Sequence, residues 1–201
     1  MGMLFRRVWP ALLMGCCGYA QVIEFESGGL HYQTLTRNGV TVMWAKLPVQ
    51  LREYTIFQVA VSNGSPVSWT IKPEDFSFQK KDGAVVPAVP ARTVVNDFMT
   101  RGGRNDVIKL VTLYEQGLYG MTRFRSTNGY EVRRQAALAE VSSTRLKSAA
   151  AASAIVFVQT KLASGQSTDG AIFFATPGHS LTPGKLIVRA AGEVFIFDAP
   201  E

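Results

Sequence analysis

Arginine and aromatic residues alternate along residues 119–134, and this stretch of the chain has the side chains to bind a charged ligand. Aromatic rings can stack on sugars, and guanidinium groups can pair with phosphates or carboxylates. The predicted anion-binding or partner-binding residues are Tyr119, Arg123, Phe124, Arg125, Tyr130, Arg133 and Arg134. Outside the cytoplasm, the ligand would be an anionic lipid or an acidic polysaccharide. The alternative interpretation is that the rings anchor the segment to the rest of the domain while the arginines face water.

The chain has two histidines, His31 and His179, and neither is part of a catalytic or metal-binding motif. A Ser-His-Asp triad would need one of them, and no pair of carboxylates has the pattern of a general acid and base. Three methionines, Met43, Met99 and Met121, are too scattered in the sequence to form a copper site. We therefore expect a non-enzymatic protein with no catalytic residue, no cofactor and no metal.

Residues 1–20 have the pattern of a secretory signal peptide. Arg6 and Arg7 provide the positive charge, and the apolar run over residues 8–17 is shorter than the roughly 20 residues that cross a bilayer. Ala20 is a small residue at the position that a signal peptidase reads. We therefore expect a secreted protein, exported to the periplasm or the extracellular space.

A second interpretation of this leader is a bacterial lipobox over residues 13–16, in which Cys16 would be lipidated and anchor a lipoprotein to the membrane. Both cysteines, Cys16 and Cys17, lie in the leader, so residues 21–201 can form no disulfide and no thiolate site. We expect these residues to form a single domain. The choice between cleavage after Ala20 and lipidation at Cys16 stays open.

The composition is that of a folded domain with a mild positive charge. Hydrophobic residues make up 47% of the chain and charged residues 18%, so the chain can bury enough apolar surface to fold. Without Arg6 and Arg7, 19 basic and 15 acidic residues leave a net charge of +4. A dedicated nucleic-acid-binding domain is far more basic. We therefore expect no nucleic-acid partner, and contact with a membrane only through a lipid anchor or an anionic surface.

Two blocks of short strands lie at the two ends of residues 21–201. Asn38 and Gly39 separate two runs rich in Val, Thr and aromatic residues, which predicts a hairpin because both residues tolerate the positive φ of a tight turn. Residues 53–62 alternate in the manner of a central strand buried on both faces. One face would carry Tyr54, Ile56 and Gln58, and the other Phe57, Val59 and Val61. With the strands after residue 153, about eight to ten strands are expected, enough for two packed sheets.

Residues 91–153 interrupt the strand pattern and predict a helical insertion. Two short helices are expected, over residues 93–100 and over residues 105–117, where Gly117 would end the second. After a loop, a long alanine-rich helix is expected over residues 130–153, which contain neither glycine nor proline. Its apolar stripe would consist of Val132, Ala136, Ala139, Leu146 and Ala150.

Strand and turn patterns of one kind recur in both blocks. They cover residues 57–64, 75–78, 82–83, 162–167, 170–174 and 186–188. In these patterns the chain resembles the bacterial extracellular immunoglobulin-like β-sandwich domains of secreted proteins and lipoproteins of unknown function. The resemblance implies a mainly β, immunoglobulin-like sandwich that serves as an interaction or support module, with an envelope protein or a cell-surface component as its partner. The helical insertion departs from that pattern.

Overall fold

The structure, a computed structural model, describes residues 21–120, 126, 130, 133, 143–177, 181 and 183–199. The strands are β1 (Ile23–Ser27), β2 (Leu30–Arg37), β3 (Val40–Leu51), β4 (Tyr54–Asn63), β5 (Trp69–Ile71), β6 (Phe76–Lys80), β7 (Val85–Pro87), β8 (Thr160–Leu162), β9 (Ser167–Ala175), β10 (Gly184–Ala190) and β11 (Glu193–Ala199). The helices are α1 (Ala91–Arg101), α2 (Arg104–Gly120) and α3 (Thr144–Ile155), and Pro73–Asp75 form a short 3-10 helix. The described chain is therefore mainly β, as the sequence predicts.

The strands form antiparallel sheets. Five strands pair in the order β1-β2-β3-β4-β9, four pair in the order β11-β10-β6-β7, and β5 pairs with β8. The predicted hairpin is confirmed, because β2 and β3 pair on either side of Asn38 and Gly39, whose φ angles are 46° and 78°.

Apart from β1, the five-stranded sheet is buried on both faces, because its residues alternate between two separate cores. Phe57 and Val59 of β4 pack in a core that also contains Phe78 and Phe195 of the four-stranded sheet. Ile56 of β4, in contrast, packs in a second core that contains residues of all three helices. The alternation predicted for β4 is confirmed. The chain thus has three layers, with the four-stranded sheet on one side of the five-stranded sheet and the helices on the other.

Helix α2 is longer than the sequence predicts, because Gly117 lies inside it. A Cβ atom at Gly117 would lie 1.8 Å from Oε1 of Gln58 and 2.8 Å from Cδ1 of Leu30. The prediction that Gly117 ends the helix is therefore wrong. The glycine permits close contact between α2 and the five-stranded sheet.

The prediction of a single long helix over residues 130–153 is also wrong. Ser143 has extended backbone, with φ −89° and ψ 146°, and its hydroxyl accepts a hydrogen bond from the backbone N–H of Leu146 at 3.2 Å. Ser143 is therefore the N-cap of α3, which has 12 residues and ends at Ile155. Leu146, a member of the predicted apolar stripe, is 44% exposed, because the separate helix turns a different face to the core. Among the described residues, no helix has both the length and the apolarity needed to cross a membrane.

Candidate functional site

The outer face of the four-stranded sheet is exposed except at Ser77, which is 9% exposed, and we call it the open face. In β10 and β11 alternate residues, such as Val188 and Phe197, are buried in the core between the sheets. The residues between them point the other way, because successive side chains of a strand alternate in direction. The open face consists of Ser77, Gln79, Val85, Pro87, Lys185, Ile187, Arg189, Val194, Ile196 and Asp198.

The strand register brings the apolar residues of the open face together. Ile196 lies opposite Ile187, which lies opposite Ser77, which in turn lies opposite Pro87. The apolar contact in this row joins β10 and β11, because Ser77, which is polar and 9% exposed, separates Ile187 from Pro87. Ile196 is 45% exposed, and Val194, two residues before it on the same strand, is 40% exposed. Single exposed apolar residues are common on protein surfaces, whereas neighbouring ones such as Ile187, Val194 and Ile196 form a patch of the kind that another molecule covers.

Basic residues flank this row. Lys185 and Arg189 precede and follow Ile187 on the same face of β10, and both are exposed. Nζ of Lys185 lies 3.7 Å from Oδ1 of Asp198, whereas Arg189 lies opposite Val194. A depression of about 340 Å³ at the end of the sheet is lined by Lys185 and by Lys80. The open face therefore suits a partner that has an apolar centre and acidic residues around it.

Four polar residues lie on the opposite side of the molecule, between the five-stranded sheet and α2, and we call them the buried polar cluster. Tyr32, Gln58, Tyr114 and Asp169 are fully buried. The Tyr32 hydroxyl donates to Oε1 of Gln58 at 3.1 Å and to the carbonyl of Gly117 at 2.9 Å. The Tyr114 hydroxyl donates to the Asp169 carboxylate. These hydrogen bonds join three strands of the sheet to α2.

The two tyrosines of the buried polar cluster do not titrate near neutral pH. Burial raises the pKa of Tyr32 to about 12. Burial, together with the nearby Asp169 carboxylate, raises the pKa of Tyr114 well above its usual value of 10.0. Both phenols therefore keep their protons and act as hydrogen-bond donors. The cluster fixes the position of α2 on the sheet.

The basic and aromatic segment is described in part. The ring of Tyr130 is 3% exposed, its centre lies 4.9 Å from that of Tyr114, and its hydroxyl donates to Glu115 at 3.2 Å. All three side-chain nitrogens of Arg133 are buried. These two residues therefore face the helical core. The side chain of Tyr119 and residues Arg123, Phe124, Arg125 and Arg134 lie outside the described part of the chain, so the anion-binding surface stays a prediction.

Three other residues were singled out in the sequence, and the structure describes one of them. His31 is half exposed at the edge of the five-stranded sheet, where its Nε2 lies 3.4 Å from Glu24 Oε2. His179 and Cys16 lie outside the described residues.

Sequence reasoning missed both the open face and the buried polar cluster. The signal for the open face is residues 185–190, where Ile187 is apolar although its neighbours Lys185 and Arg189 on the same face are charged. The signal for the cluster is Asp169, a charged residue two positions before the apolar run of residues 171–175 in β9.

No protein-family model matches the chain, and the comparison with curated proteins finds no match. Among solved structures, the chain is similar to the yjhA protein from Bacillus subtilis, with a TM-score of 0.37 and 9% sequence identity. The match covers 88% of this chain and 95% of that one. A similarity of this degree assigns neither a fold family nor a function.

Proposed function

We propose that the chain is an exported, non-enzymatic interaction module of the cell envelope that binds a partner protein through the open face. In this proposal the two large sheets form an immunoglobulin-like β-sandwich, and the helices are a structural layer on one side of it. The signal-peptide pattern of residues 1–20 supports export. The antiparallel pairing of both sheets and their shared apolar core support the sandwich.

The observation that carries the proposal is the apolar row of the open face. The outer face of the five-stranded sheet is also apolar, but there the helices cover it, and residues such as Ile56 are almost completely buried. On the open face Ile196 remains 45% exposed beside a half-buried Ile187. Covering these side chains would release water from apolar surface, and the basic residues on either side would select an acidic partner.

The size of the open face indicates a weak or transient interaction for one copy of the chain. Strands lie about 4.8 Å apart and rise about 3.4 Å per residue, so four strands of this length present on the order of 400 Å². A standard protein interface buries about 800 Å² on each partner.

Photo-crosslinking in the exporting cell tests this proposal. A photoreactive amino acid at position 196 is expected to give a defined adduct with a protein other than a second copy of this chain, and the adduct should be lost when Arg189→Glu is added, because the charge that selects the partner is reversed. The matched control is position 108, because Ile108 on α2 is 52% exposed and lies on the other side of the molecule. Equal adducts from both positions, or an adduct that Arg189→Glu leaves unchanged, would contradict the proposal.

A further inference from the structure

We infer that β11 is a dimerisation edge, at which a second copy of this chain adds its own β11 in antiparallel orientation and forms a continuous eight-stranded sheet. This inference goes beyond the proposed partner and does not depend on it. It comes from a comparison of the four edges of the two large sheets, which are β1, β9, β7 and β11.

An exposed sheet edge presents backbone N–H and C=O groups that can pair with another chain, and proteins usually block such edges. The β9 edge is covered, because the backbone N–H of Phe157 donates to the carbonyl of Ala171 at 2.8 Å and that of Val89 donates to the carbonyl of Phe173 at 2.8 Å. Strand β7 has three residues and ends in Pro87. A short strand with a proline offers little to pair with.

The β1 edge is protected by charge. Its five residues include Glu24 and Glu26, and four of the five residues are exposed. Glu24 also accepts a hydrogen bond from Gln33 on β2 at 2.6 Å. A second strand placed beside β1 would bring these carboxylates towards an apolar environment, which is unfavourable.

The central run of β11 lacks these protections, because its two carboxylates, Glu193 and Asp198, lie near the ends of the strand. Strand β11 has seven residues, and its central run from Val194 to Phe197 contains no proline, glycine or charged residue. Within the described part of the chain, its backbone hydrogen-bonds to β10 alone. A long, apolar, regular edge of this kind is a site for strand addition.

The sequence of β11 is suited to pairing with itself. With a two-fold axis at Ile196, each Asp198 lies opposite Val194 of the second copy, and each Glu193 lies opposite Ala199. No two like charges are opposed. Ile196 of one copy lies beside Ile196 of the other, so the row of the open face continues across the dimer, and Phe195 and Phe197 pair on the inner face.

Dimerisation would double the open face. One copy presents on the order of 400 Å², and two copies joined edge to edge present about 800 Å², which is the share of one partner in a standard interface. A second copy is therefore the occupant that both the charge pattern of β11 and the size of the open face favour.

The test uses cysteine crosslinking in a full-length chain that carries Cys16→Ser and Cys17→Ser, which removes both natural cysteines. Sedimentation at about 50 µM is expected to show a dimer. Mild oxidation should crosslink Ile196→Cys across the two-fold axis, because opposed residues of antiparallel strands have Cα atoms about 4.5–5.5 Å apart, within the range of a disulfide. The matched control is Ile187→Cys on the same face, whose copies would lie about 14 Å apart, three strand spacings, and should not crosslink.

A second variant, Val194→Glu, places a carboxylate opposite Asp198 of the second copy and is expected to weaken dimerisation by about tenfold or more, whereas Ile108→Glu on α2 should leave it unchanged. Circular dichroism would confirm that each variant is folded. A folded monomer at about 50 µM would overturn the inference, as would a dimer that crosslinks at position 187 and not at position 196. If sedimentation shows a monomer but position 196 still gives the adduct with a partner protein in cells, only the dimer is overturned. The proposed function would then stand.

Discussion

Helices cover the outer face of the five-stranded sheet, whereas no described helix covers the open face of the four-stranded sheet. The side chains on each face account for this difference. Ala45, Ala60 and Ala171 lie on the covered face of the five-stranded sheet, and with Gly117 of α2 they let the helices approach closely. The open face has Lys185, Arg189 and Gln79 around its isoleucine row, and long polar side chains keep a helix of the same chain away. Side-chain size and charge, rather than apolar content alone, therefore determine which face the helices cover.

The largest expected effect comes from one isoleucine on each face. Ile56 is 1% exposed under the helices, and Ile56→Ala should lower the free energy of unfolding by about 2–5 kcal/mol, because it leaves a cavity. Ile196 is 45% exposed on the open face, and Ile196→Ala should change it by about 0.5 kcal/mol or less. Urea unfolding at low protein concentration, where association does not contribute, measures both values. Similar losses of unfolding free energy for the two variants would show that Ile196 is buried and would contradict the description of the open face.

A smaller effect is expected where α2 contacts the covered face. Gly117→Ala would place a Cβ atom 1.8 Å from Gln58 Oε1, and the helix or the glutamine must move. Such overpacking costs about 1–3 kcal/mol. Alanine stabilises a helix by roughly 1 kcal/mol relative to glycine, and this gain offsets only part of that cost. We therefore expect a net loss of about 1 kcal/mol in thermal or urea unfolding.

The control for this variant is Gly103→Ala, just before α2. The nearest atom to a Cβ at Gly103 is Asp106 Oδ2, at 3.6 Å, which is an ordinary contact. Its stability should stay within about 0.5 kcal/mol of the wild type. If Gly117→Ala is instead more stable than the wild type, helix propensity outweighs the close contact, and the account of the covered face is wrong.

The sequence predicts the local parts of this comparison and misses the parts that depend on distant contacts. The hairpin at Asn38 and the alternation in β4 depend on neighbouring residues, and both were predictable. The role of Gly117 depends on Gln58, far away in the chain, so a glycine that permits contact was mistaken for a helix end. Asp169 and Tyr114 are separated by 55 residues and meet only when the sheet and the helix pack.

The open face was missed for a related reason. The alternation in β10 and β11 is visible in the sequence, but the row formed by Ile187 and Ile196 exists only in the observed register. A shift of one residue would turn the isoleucines into the core. The break before α3 was missed because a serine inside an alanine-rich run has weak helix preference and becomes an N-cap only when its hydroxyl turns to the backbone.

A pH-dependent effect is expected in alkaline solution and only on the covered face, where the buried tyrosines lie. The pKa of Tyr32 is raised to about 12 in the folded protein, whereas an unfolded tyrosine titrates near its usual value of 10.0. The unfolded chain therefore loses its proton first. The stabilisation due to the protonated phenol is complete below pH 10 and is lost as the pH rises towards 12. Tyr114, whose pKa is also raised, adds to the loss.

Urea unfolding at several pH values between 9 and 12 measures this loss. Each tyrosine of this kind contributes a slope of at most about 1.4 kcal/mol per pH unit, so Tyr32→Phe should flatten the alkaline decline by about that amount at pH 11. Tyr32→Phe also removes two hydrogen bonds at every pH, so the slope is the informative quantity and the absolute stability is not. Ile196→Ala on the open face should leave the slope unchanged. If the curves of unfolding free energy against pH are parallel for Tyr32→Phe and the wild type, water reaches the phenol of Tyr32. Helix α2 would then pack less closely on the sheet than the contacts of Gly117 imply.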